Sequence, residues 1–248
     1  MPNCPLCQAK SGKYYNQVNQ YQIYRCQDCG LEFTYPLPSN KELTEFYSTY
    51  QEQYFNQTVK RLNSLEYIDF MCSNGINRQA KLLDYGCGEG DFVKVWGNSA
   101  VGYDLKDRNF FNKYGNKTFD IITFFGVLEH LATPLEDMQL LVRRLNPNGY
   151  IVLMVIVNDS GIPYRYKPPE HLTYWTSEAL QILCNKCDLE LIVYESLAMY
   201  ETVSVFKEKM GRRLSPLIRE KIMPLHDTDD LEYVLVPTNN IITIGKVK

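Results

Sequence analysis

Four of the eight cysteines lie near the amino terminus in two pairs of the form C-x2-C. Cys4 and Cys7 form the first pair, and Cys26 and Cys29 form the second after eighteen intervening residues. Each pair is typical of a short turn that directs two thiolates to one point, and two such turns supply the ligands of a tetrahedral zinc ion. Because cysteine fills all four positions, the spacing predicts a closed structural zinc site. Four free thiols in a small cap are the alternative.

A glycine-rich loop is the second feature whose residues could take part in chemistry. Its glycines follow a short apolar run that ends at Asp84, and they are Gly86, Gly88 and Gly90. Such a loop lets a ligand approach the backbone, and amides at a helix start favour a carboxylate or phosphate. The spacing departs from the dinucleotide pattern G-x-G-x-x-G, because Asp91 occupies the third glycine position. Asp84 and Glu89 add negative charge, which favours a zwitterionic or cationic ligand.

Two of the three histidines follow predicted strands and are candidates for proton transfer. His130 ends the run Val-Leu-Glu-His, and His171 follows Glu170 in a proline-containing loop. Both positions belong to the carboxyl edge of the predicted sheet, where open α/β sheets bind ligands. A structural interpretation is equally open for His171, which could pack its loop. For His130 the favoured interpretation is that it holds the helix beginning near Pro134.

Alternating short strands and helices must position these side chains from residue 80 onward. The predicted strands are Lys81–Asp84, Val101–Asp104, Asp120–Phe125, Tyr150–Val157, Leu189–Tyr194 and a last one over Asn240–Val247. The predicted helices are Asp91–Trp96, Pro134–Leu145 and Ser177–Lys186. This alternation indicates an α/β fold with a mostly parallel sheet that is covered on both faces. A further C-x2-C pair, at residues 184 and 187, falls within a predicted helix and is interpreted as buried packing residues.

The sequence predicts three regions, a zinc ribbon over 1–38, a helical linker or lid over 39–79, and a main domain over 80–248. Aromatic residues in the linker are expected to pack the ribbon against the main domain, or to cover a pocket; they are Tyr47, Tyr50, Tyr54 and Phe55. A helical insertion is predicted over 203–235. Residues 203–226 within it carry a net charge of +4, which indicates a solvated helix face, or a surface that receives the phosphates of an anionic or nucleotide-linked substrate.

Composition excludes several classes of protein. A hydrophobic content of 45% with 19 Tyr and 11 Phe argues against disorder. The longest apolar run, Tyr150–Val157, is far shorter than the roughly 20 residues that a membrane span needs. No secretory signal begins the sequence, so free or metal-bound thiols in the cytoplasm are expected. A net charge of −3 gives no general attraction for nucleic acid or anionic lipid, and the sequence indicates no oligomeric state.

Several motifs in order resemble class I S-adenosylmethionine-dependent methyltransferases. They cover roughly Ala80 to Glu195 and comprise D-x-G-x-G-x-G at 84–90, Gly102–Asp104, Phe119–His130 and L-x-P-x-G from Leu145. The cysteine-rich segment before this domain resembles zinc-ribbon members, including deoxysugar C-methyltransferases. The resemblance implies a Rossmann-like methyltransferase sheet with an antiparallel last strand, and S-adenosylmethionine as cofactor beside structural Zn²⁺.

Site residues follow from the resemblance position by position. The glycine loop, with Cys87, would lie under the methionine part of the cofactor, Asp84 near its amino group or sulfonium, and Asp104 on the ribose. The methyl-donor pocket would be bordered by Phe125, Gly126 and Val127. The Glu170–His171 pair resembles the Glu-His pair of the sugar enzymes, where the histidine is placed to take the substrate proton. His130 is a further catalytic candidate.

One departure from the family pattern leaves other functions open. Asp104 and Phe119 are only fifteen positions apart, where the family fits a helix, a strand and an acidic residue near the adenine; Asp107 is the candidate. The expected function is methyl transfer to a small molecule, such as a sugar or another biosynthetic intermediate. An RNA methyltransferase ranks second, because residues 1–40 carry a net charge of only +1 before four thiolates are added. A non-catalytic cofactor-binding or scaffold module is third.

Overall fold

A computed structural model describes residues 1–49, 56–104, 115–159, 166–202, 204, 233–236 and 240–247. The strands are β1 Gly12–Val18, β2 Tyr21–Cys26, β3 Glu32–Tyr35, β4 Leu82–Tyr85, β5 Ala100–Tyr103, β6 Phe119–Phe125, β7 Leu145–Ile156, β8 Thr173–Tyr174, β9 Leu189–Ser196, β10 Met199–Thr202, β11 Tyr233–Val236 and β12 Asn240–Val247. The α-helices are α1 Asn40–Thr49, α2 Gln57–Ser73, α3 Asp91–Trp96, α4 Pro134–Val142 and α5 Ser177–Lys186. A 3-10 turn covers Leu128–His130.

The central sheet has six described strands in the order β5-β4-β6-β7-β12-β9. The first four pair in parallel, whereas β12 runs antiparallel between β7 and β9. These pairings confirm the predicted α/β fold with a mostly parallel sheet and an antiparallel last strand. The loops that follow β4, β5, β6 and β7 therefore meet at one edge, because parallel strands all end there.

Apolar side chains cover both faces of this sheet. Consecutive residues of β4 point to opposite faces, so that Leu82 packs with α2 and α3 while Leu83 packs on the side of α4 and α5. Both leucines are fully buried. This two-sided burial explains why the strands read as continuous apolar runs rather than alternating ones.

The amino-terminal strands form a second sheet, which extends into the main domain. Its order is β1-β2-β3-β8, and all of its pairings are antiparallel. The strand β8 comes from residues 173–174, directly after the loop that carries Glu170 and His171. The ribbon and this loop consequently share backbone hydrogen bonds.

Two helices stand in the region predicted as one helical stretch. The second, α2, begins after Asn56, whose side chain accepts a hydrogen bond from the Thr58 amide at 2.7 Å. Such an N-cap satisfies an amide that the helix itself leaves without a partner. Three of the aromatic residues that were expected to pack the ribbon or to cover a pocket lie outside the described residues, namely Tyr50, Tyr54 and Phe55.

The predicted helical insertion over 203–235 is wrong at its carboxyl end. There Tyr233–Val236 forms β11, which pairs antiparallel with β10. The run Tyr-Val-Leu-Val consists largely of aromatic and β-branched residues, which favour a strand over a helix. Most of the insertion, including its basic residues, lies outside the described residues. Among the helices that the structure describes, none has the length and apolar character that crossing a membrane requires.

Candidate functional site

Three left-handed glycines shape the loop after β4. The φ angles of Gly86, Gly88 and Gly90 are +82°, +50° and +75°, in the region where residues with a Cβ are strained. Gly86 also packs closely against Val127, in the segment after β6. A Cβ at Gly86 would lie 2.3 Å from Cγ2 of Val127. The amides of Gly86 and Cys87 both donate to the Tyr103 carbonyl, at 2.7 and 3.0 Å. The loop is therefore anchored to the end of β5.

Asp104 lies directly after β5 and contacts the same loop. Its Oδ2 accepts a hydrogen bond of 3.0 Å from the Gly88 amide. The absence of a Cβ is also required at Gly102, where one would lie 2.6 Å from the Cys87 sulfur. The structure thus brings Gly86, Cys87, Gly88 and Asp104 together at the carboxyl edge of the sheet.

Asp84 is a buried carboxyl group beneath this loop. It is 4% exposed and accepts a hydrogen bond of 2.7 Å from the Thr123 hydroxyl. Burial, with a smaller contribution from the charge of Asp104, raises the pKa of Asp84 to about 7. A carboxyl group in this state gains from a cationic ligand, because a nearby positive charge favours its ionised form.

Aromatic rings cover the other side of this region. The ring of Phe125 stacks on Tyr67 with centroids 4.4 Å apart and meets Phe92 edge-on at 4.9 Å. The negative charge of Asp84 contributes to raising the pKa of the Tyr67 hydroxyl, after the larger effect of burial. Tyr67 lies on α2, and the sequence analysis did not identify it. Its spacing within an amphipathic helix indicates only a core residue, so no local signal marks its place beside Asp84.

The segment after β6 leads from the glycine loop to the histidines. Gly126 has a φ of +67° and donates its amide to the Met154 carbonyl at 2.9 Å. Val127 packs on Gly86, and the following 3-10 turn carries Glu129 and His130. A Cβ on Gly126 would lie 3.9 Å from Oε1 of Glu129. One five-residue segment therefore contacts both groups of candidate residues.

The second group is a cluster of two histidines and two glutamates, of which Glu129 and His171 are buried. Glu129, His130 and His171 each place one ligand-type atom within 4.8 Å of the others. The two imidazole rings meet edge-on with centroids 5.0 Å apart. His130 Nδ1 lies 2.8 Å from the Glu170 carbonyl oxygen, and His171 Nε2 lies 3.8 Å from Oε1 of Glu170. The structure thus brings together all three predicted catalytic residues.

Burial dominates the electrostatics of this second cluster. His171 is 7% exposed, and burial, with the positive charges of His130 and Lys167, lowers its pKa to about 2. Burial also raises the pKa of Glu129, whose Oε2 has no hydrogen-bond partner among the residues that the structure describes. Glu129 stands in the run Val-Leu-Glu-His, but no residue pattern in the sequence marks it as a site residue.

Tyr47 reaches the histidine cluster from α1. Its hydroxyl lies 3.2 Å from His130 Nδ1. Burial raises the pKa of Tyr47 to about 12, with smaller contributions from Glu170, Asp104 and Glu129. Charges from both groups of candidate residues act on this hydroxyl, so Tyr47 lies near the space between them.

The four amino-terminal cysteines form a separate cluster. The sulfur of Cys4 lies 3.5 Å from that of Cys29, the sulfur of Cys7 lies 3.4 Å from that of Cys26, and all four are within 4.8 Å of one another. A tetrahedral zinc ion with Zn–S bonds of about 2.3 Å would separate its sulfurs by about 3.8 Å. The four thiols therefore fit such an ion, with no position left for a reactant. Cys184 and Cys187 are buried free thiols on and after α5.

Comparisons with known proteins identify a family and a fold. A family model described as a methyltransferase domain matches residues 47–194, which is more than half of the chain. A SAM-dependent methyltransferase from Archaeoglobus fulgidus has a similar structure, with 17% identity, a TM-score of 0.52, and coverage of 81% of this chain and 99% of that chain. At this identity the likeness shows the fold alone.

A second similar structure is the Burkholderia thailandensis 1,6-didemethyltoxoflavin-N1-methyltransferase, solved with 1,6-didemethyltoxoflavin and S-adenosylhomocysteine. It has 14% identity and a TM-score of 0.49, and covers 95% of this chain and 99% of that chain. No curated protein matches the chain. The matched family segment begins at Tyr47, so it includes the part of α1 that contacts the histidine cluster.

Proposed function

The chain belongs to the methyltransferase-domain family, and from this premise we propose that it transfers a methyl group from S-adenosylmethionine to a small polar molecule. We expect the acceptor to be a sugar or another biosynthetic intermediate. One observation carries the proposal. The segment from Gly126 to His130 borders both the glycine loop with its buried Asp84 and the cluster of His130, Glu170 and His171.

The charges of Asp84 and Asp104 beside the glycine loop indicate how S-adenosylmethionine would bind. Asp84 would receive the positively charged part of S-adenosylmethionine in its ionised form, and the glycine loop would lie along the methionine chain. Asp104 would bind the ribose hydroxyls with its carboxylate, as its place after β5 suggests for this fold. The rings of Tyr67 and Phe125 would add the apolar faces that tolerate a sulfonium. When bound, S-adenosylmethionine supplies an electrophilic methyl group.

The acceptor side must align the nucleophile and remove its proton. Transfer forms a bond from the acceptor to the methyl carbon as the carbon–sulfur bond breaks, and the acceptor's proton needs a base. His171 would take that proton, and the Glu170 carboxylate at 3.8 Å from its Nε2 would stabilise the imidazolium. Burial opposes this protonation, and a carboxylate beside the ring would offset part of that cost. His130 would hold the loop through the Glu170 carbonyl.

A small acceptor fits the surroundings of His171 better than a polynucleotide. His171 and Glu129 are each less than one-tenth exposed, which leaves little room for an extended strand. The ribbon also offers a weak basic footprint, since Arg25 forms an ion pair with the buried Glu32. Recognition of RNA requires cationic side chains that are free to meet phosphates. We further propose that the four cysteines hold a structural Zn²⁺ ion.

Transfer of a radiolabelled methyl group tests this function. The zinc-loaded protein would be incubated with labelled S-adenosylmethionine and either a panel of free and nucleotide-linked sugars or total RNA. We expect label in the small-molecule fraction, and loss of that label in His171→Asn while cofactor affinity is retained. The exposed Cys72→Ser variant is the control with unchanged transfer. Label that enters RNA instead would overturn the choice of acceptor.

A further inference from the structure

We propose that Thr34, on the third ribbon strand, is a positioning residue for His171, and that Glu32 anchors this strand to the main domain. The ribbon is then part of the acceptor side rather than a separate module. The inference rests on the proposed function, because it assumes that His171 serves methyl transfer. Four sets of contacts carry it.

The carbonyl group of His171 is held by two hydroxyl groups. Thr34 Oγ1 donates to this oxygen at 3.1 Å, and Tyr174 Oη donates to it at 2.9 Å. The two hydroxyl oxygens lie 3.3 Å from each other. All three residues are buried, so these hydrogen bonds are costly to lose. They fix the peptide plane that directly follows the His171 side chain.

The next residue, Leu172, is held from both sides. Its carbonyl accepts from the Thr34 amide at 2.9 Å, and its own amide donates to the Glu129 carbonyl at 2.7 Å. Thr173 extends the attachment, because its hydroxyl donates to the Leu128 carbonyl at 3.1 Å. The His171 backbone therefore lies between the ribbon strand and the turn that carries Glu129. A shift of β3 would change the separation of His171 from that turn.

Glu32 joins the strand to the main domain through its side chain. The residue is completely buried, and its carboxylate pairs with Arg25 and accepts hydrogen bonds from Tyr166 and from Asn158 Nδ2, the latter at 3.1 Å. The backbone N–H of Asn158 in turn donates to the Trp175 carbonyl at 2.7 Å. A buried carboxylate that lost these partners would be strongly unfavourable. The network therefore resists displacement of β3.

The cysteine cluster fixes the amino-terminal end of the same strand. The Cys26 amide donates to the Leu31 carbonyl at 2.9 Å, and the Gly30 amide donates to the Cys26 carbonyl at 3.2 Å. Glu32 begins β3 immediately after this turn. A segment this small would gain much of its order from a metal held by its four cysteines. Zinc occupancy should therefore change the geometry at His171.

Nuclear magnetic resonance of the histidine rings tests the inference without an acceptor. The chain has three histidines, so His171 is assigned by comparison with His171→Asn. In the zinc-loaded protein we expect a cross-peak between the ring protons of His130 and His171, whose centroids are 5.0 Å apart. The double variant Thr34→Val with Tyr174→Phe removes both hydroxyl groups at nearly constant volume. It should lose the cross-peak while its zinc content stays unchanged.

The matched control is Thr34→Ser with Tyr174 intact, which retains the hydroxyl groups and should retain the cross-peak. Removal of zinc from the wild-type chain should abolish it as well. In the labelled-methyl assay, the double variant should lose turnover by roughly 10- to 100-fold, as expected for a misplaced catalytic group. Its KM for S-adenosylmethionine should stay within about twofold, since no cofactor contact changes.

A cross-peak that persists both in the double variant and after zinc removal would overturn the inference. If the double variant does not fold, the single Thr34→Val variant and the zinc-free protein supply the same readout. The proposed function fails by a different result, namely the absence of cofactor binding and methyl transfer in the wild-type protein. The ring cross-peak needs neither, so the two failures are distinguishable.

Discussion

The proposed cofactor side and the proposed acceptor side are constructed differently. The cofactor side draws mainly on the ends of neighbouring strands of one sheet, since Asp84 to Gly90, Asp104 and Phe125 to Val127 lie at or directly after the ends of β4, β5 and β6, and α2 adds Tyr67. The acceptor side gathers residues from distant parts of the chain. There Thr34 of the ribbon and Tyr47 of α1 meet His130 and His171.

This difference shows which physical requirement governs each side. Left-handed glycines and close approaches shape the cofactor side, so backbone geometry limits what can replace Gly86 or Gly102. Buried charged and polar groups shape the acceptor side, so Glu32, Glu129 and His171 depend on partners supplied by other elements. Changes to the ribbon should therefore affect the acceptor side and spare the cofactor side.

The largest expected effect comes from the removal of a zinc ligand. In Cys26→Ser we expect loss of bound zinc and unfolding of the ribbon, because structural zinc contributes on the order of 10 kcal/mol to such modules. Affinity for S-adenosylmethionine should persist within about threefold. The matched control is Cys184→Ser, from the buried pair on α5, which should retain its zinc. Metal analysis and calorimetry measure both quantities, and equal zinc loss in the two variants would refute the assignment.

Next in size is the effect of a methyl group on the glycine loop. Gly86 and Gly75 have nearly equal φ angles of +82° and +83°, but a Cβ at Gly75 would contact nothing within 4 Å. Gly75→Ala should cost about 1 kcal/mol of backbone strain. Gly86→Ala should cost about 3 kcal/mol and weaken cofactor binding, because the new methyl group displaces Val127. Urea denaturation compares the two, and equal losses would exclude the predicted clash.

A smaller effect should appear in the pH dependence of stability. Burial holds the pKa of His171 at about 2, below the ordinary value of 6.5, so the unfolded chain binds a proton that the folded chain excludes. The contribution of neutral, buried His171 to the free energy of unfolding is complete well above pH 6.5. It is lost as the pH falls below 6.5, because the unfolded chain then gains a proton. Between pH 6.5 and 5 the loss should be about 2 kcal/mol.

The comparison with His171→Gln isolates this contribution from those of Glu129, Glu170, His130 and Lys167, which surround the ring. The difference in unfolding free energy between wild type and variant should change by that amount over this range, as measured by urea denaturation. A difference that is independent of pH would show that His171 is solvated in the folded protein.

The smallest expected effect concerns cofactor affinity. Burial raises the pKa of Asp84 to about 7, so its ionised fraction rises about tenfold between pH 6 and pH 8. Affinity for S-adenosylmethionine should increase by a similar factor, because the cation binds the ionised form. Asp84→Asn should remove this dependence, while Asp120→Asn, at the opposite edge of the sheet, should keep it. Titrations at the two pH values measure the ratio.

Local patterns predicted several elements of the main domain well. The helices Asp91–Trp96 and Ser177–Lys186 and the strand Asn240–Val247 have their predicted bounds, because caps, turns and apolar periodicity are all local signals. The order of the motifs along the chain predicted a mostly parallel sheet with an antiparallel last strand. The prediction failed at the end of the insertion, since the strand Tyr233–Val236 has only four residues and directly follows an acidic stretch.

The acceptor side was predictable only in part. The Glu170–His171 pair was visible in the sequence, but its attachment to the ribbon was not. Thr34 and His171 are 137 positions apart, and the strand that joins them, Thr173–Tyr174, is too short to show any periodicity. Likewise Tyr67 and Glu129 occupy ordinary helix or turn positions, and only the packing of α2 and of the turn after β6 gives them their neighbours.

Titration of the zinc-loaded protein with S-adenosylmethionine in a calorimeter tests the central claim most directly. We expect saturable binding at one site per chain at pH 8, and a marked loss of affinity in Gly86→Ala but not in Gly75→Ala. No heat at a cofactor concentration of about 1 mM, which sets the affinity weaker than roughly −4 kcal/mol, would contradict the claim that this chain is a methyltransferase.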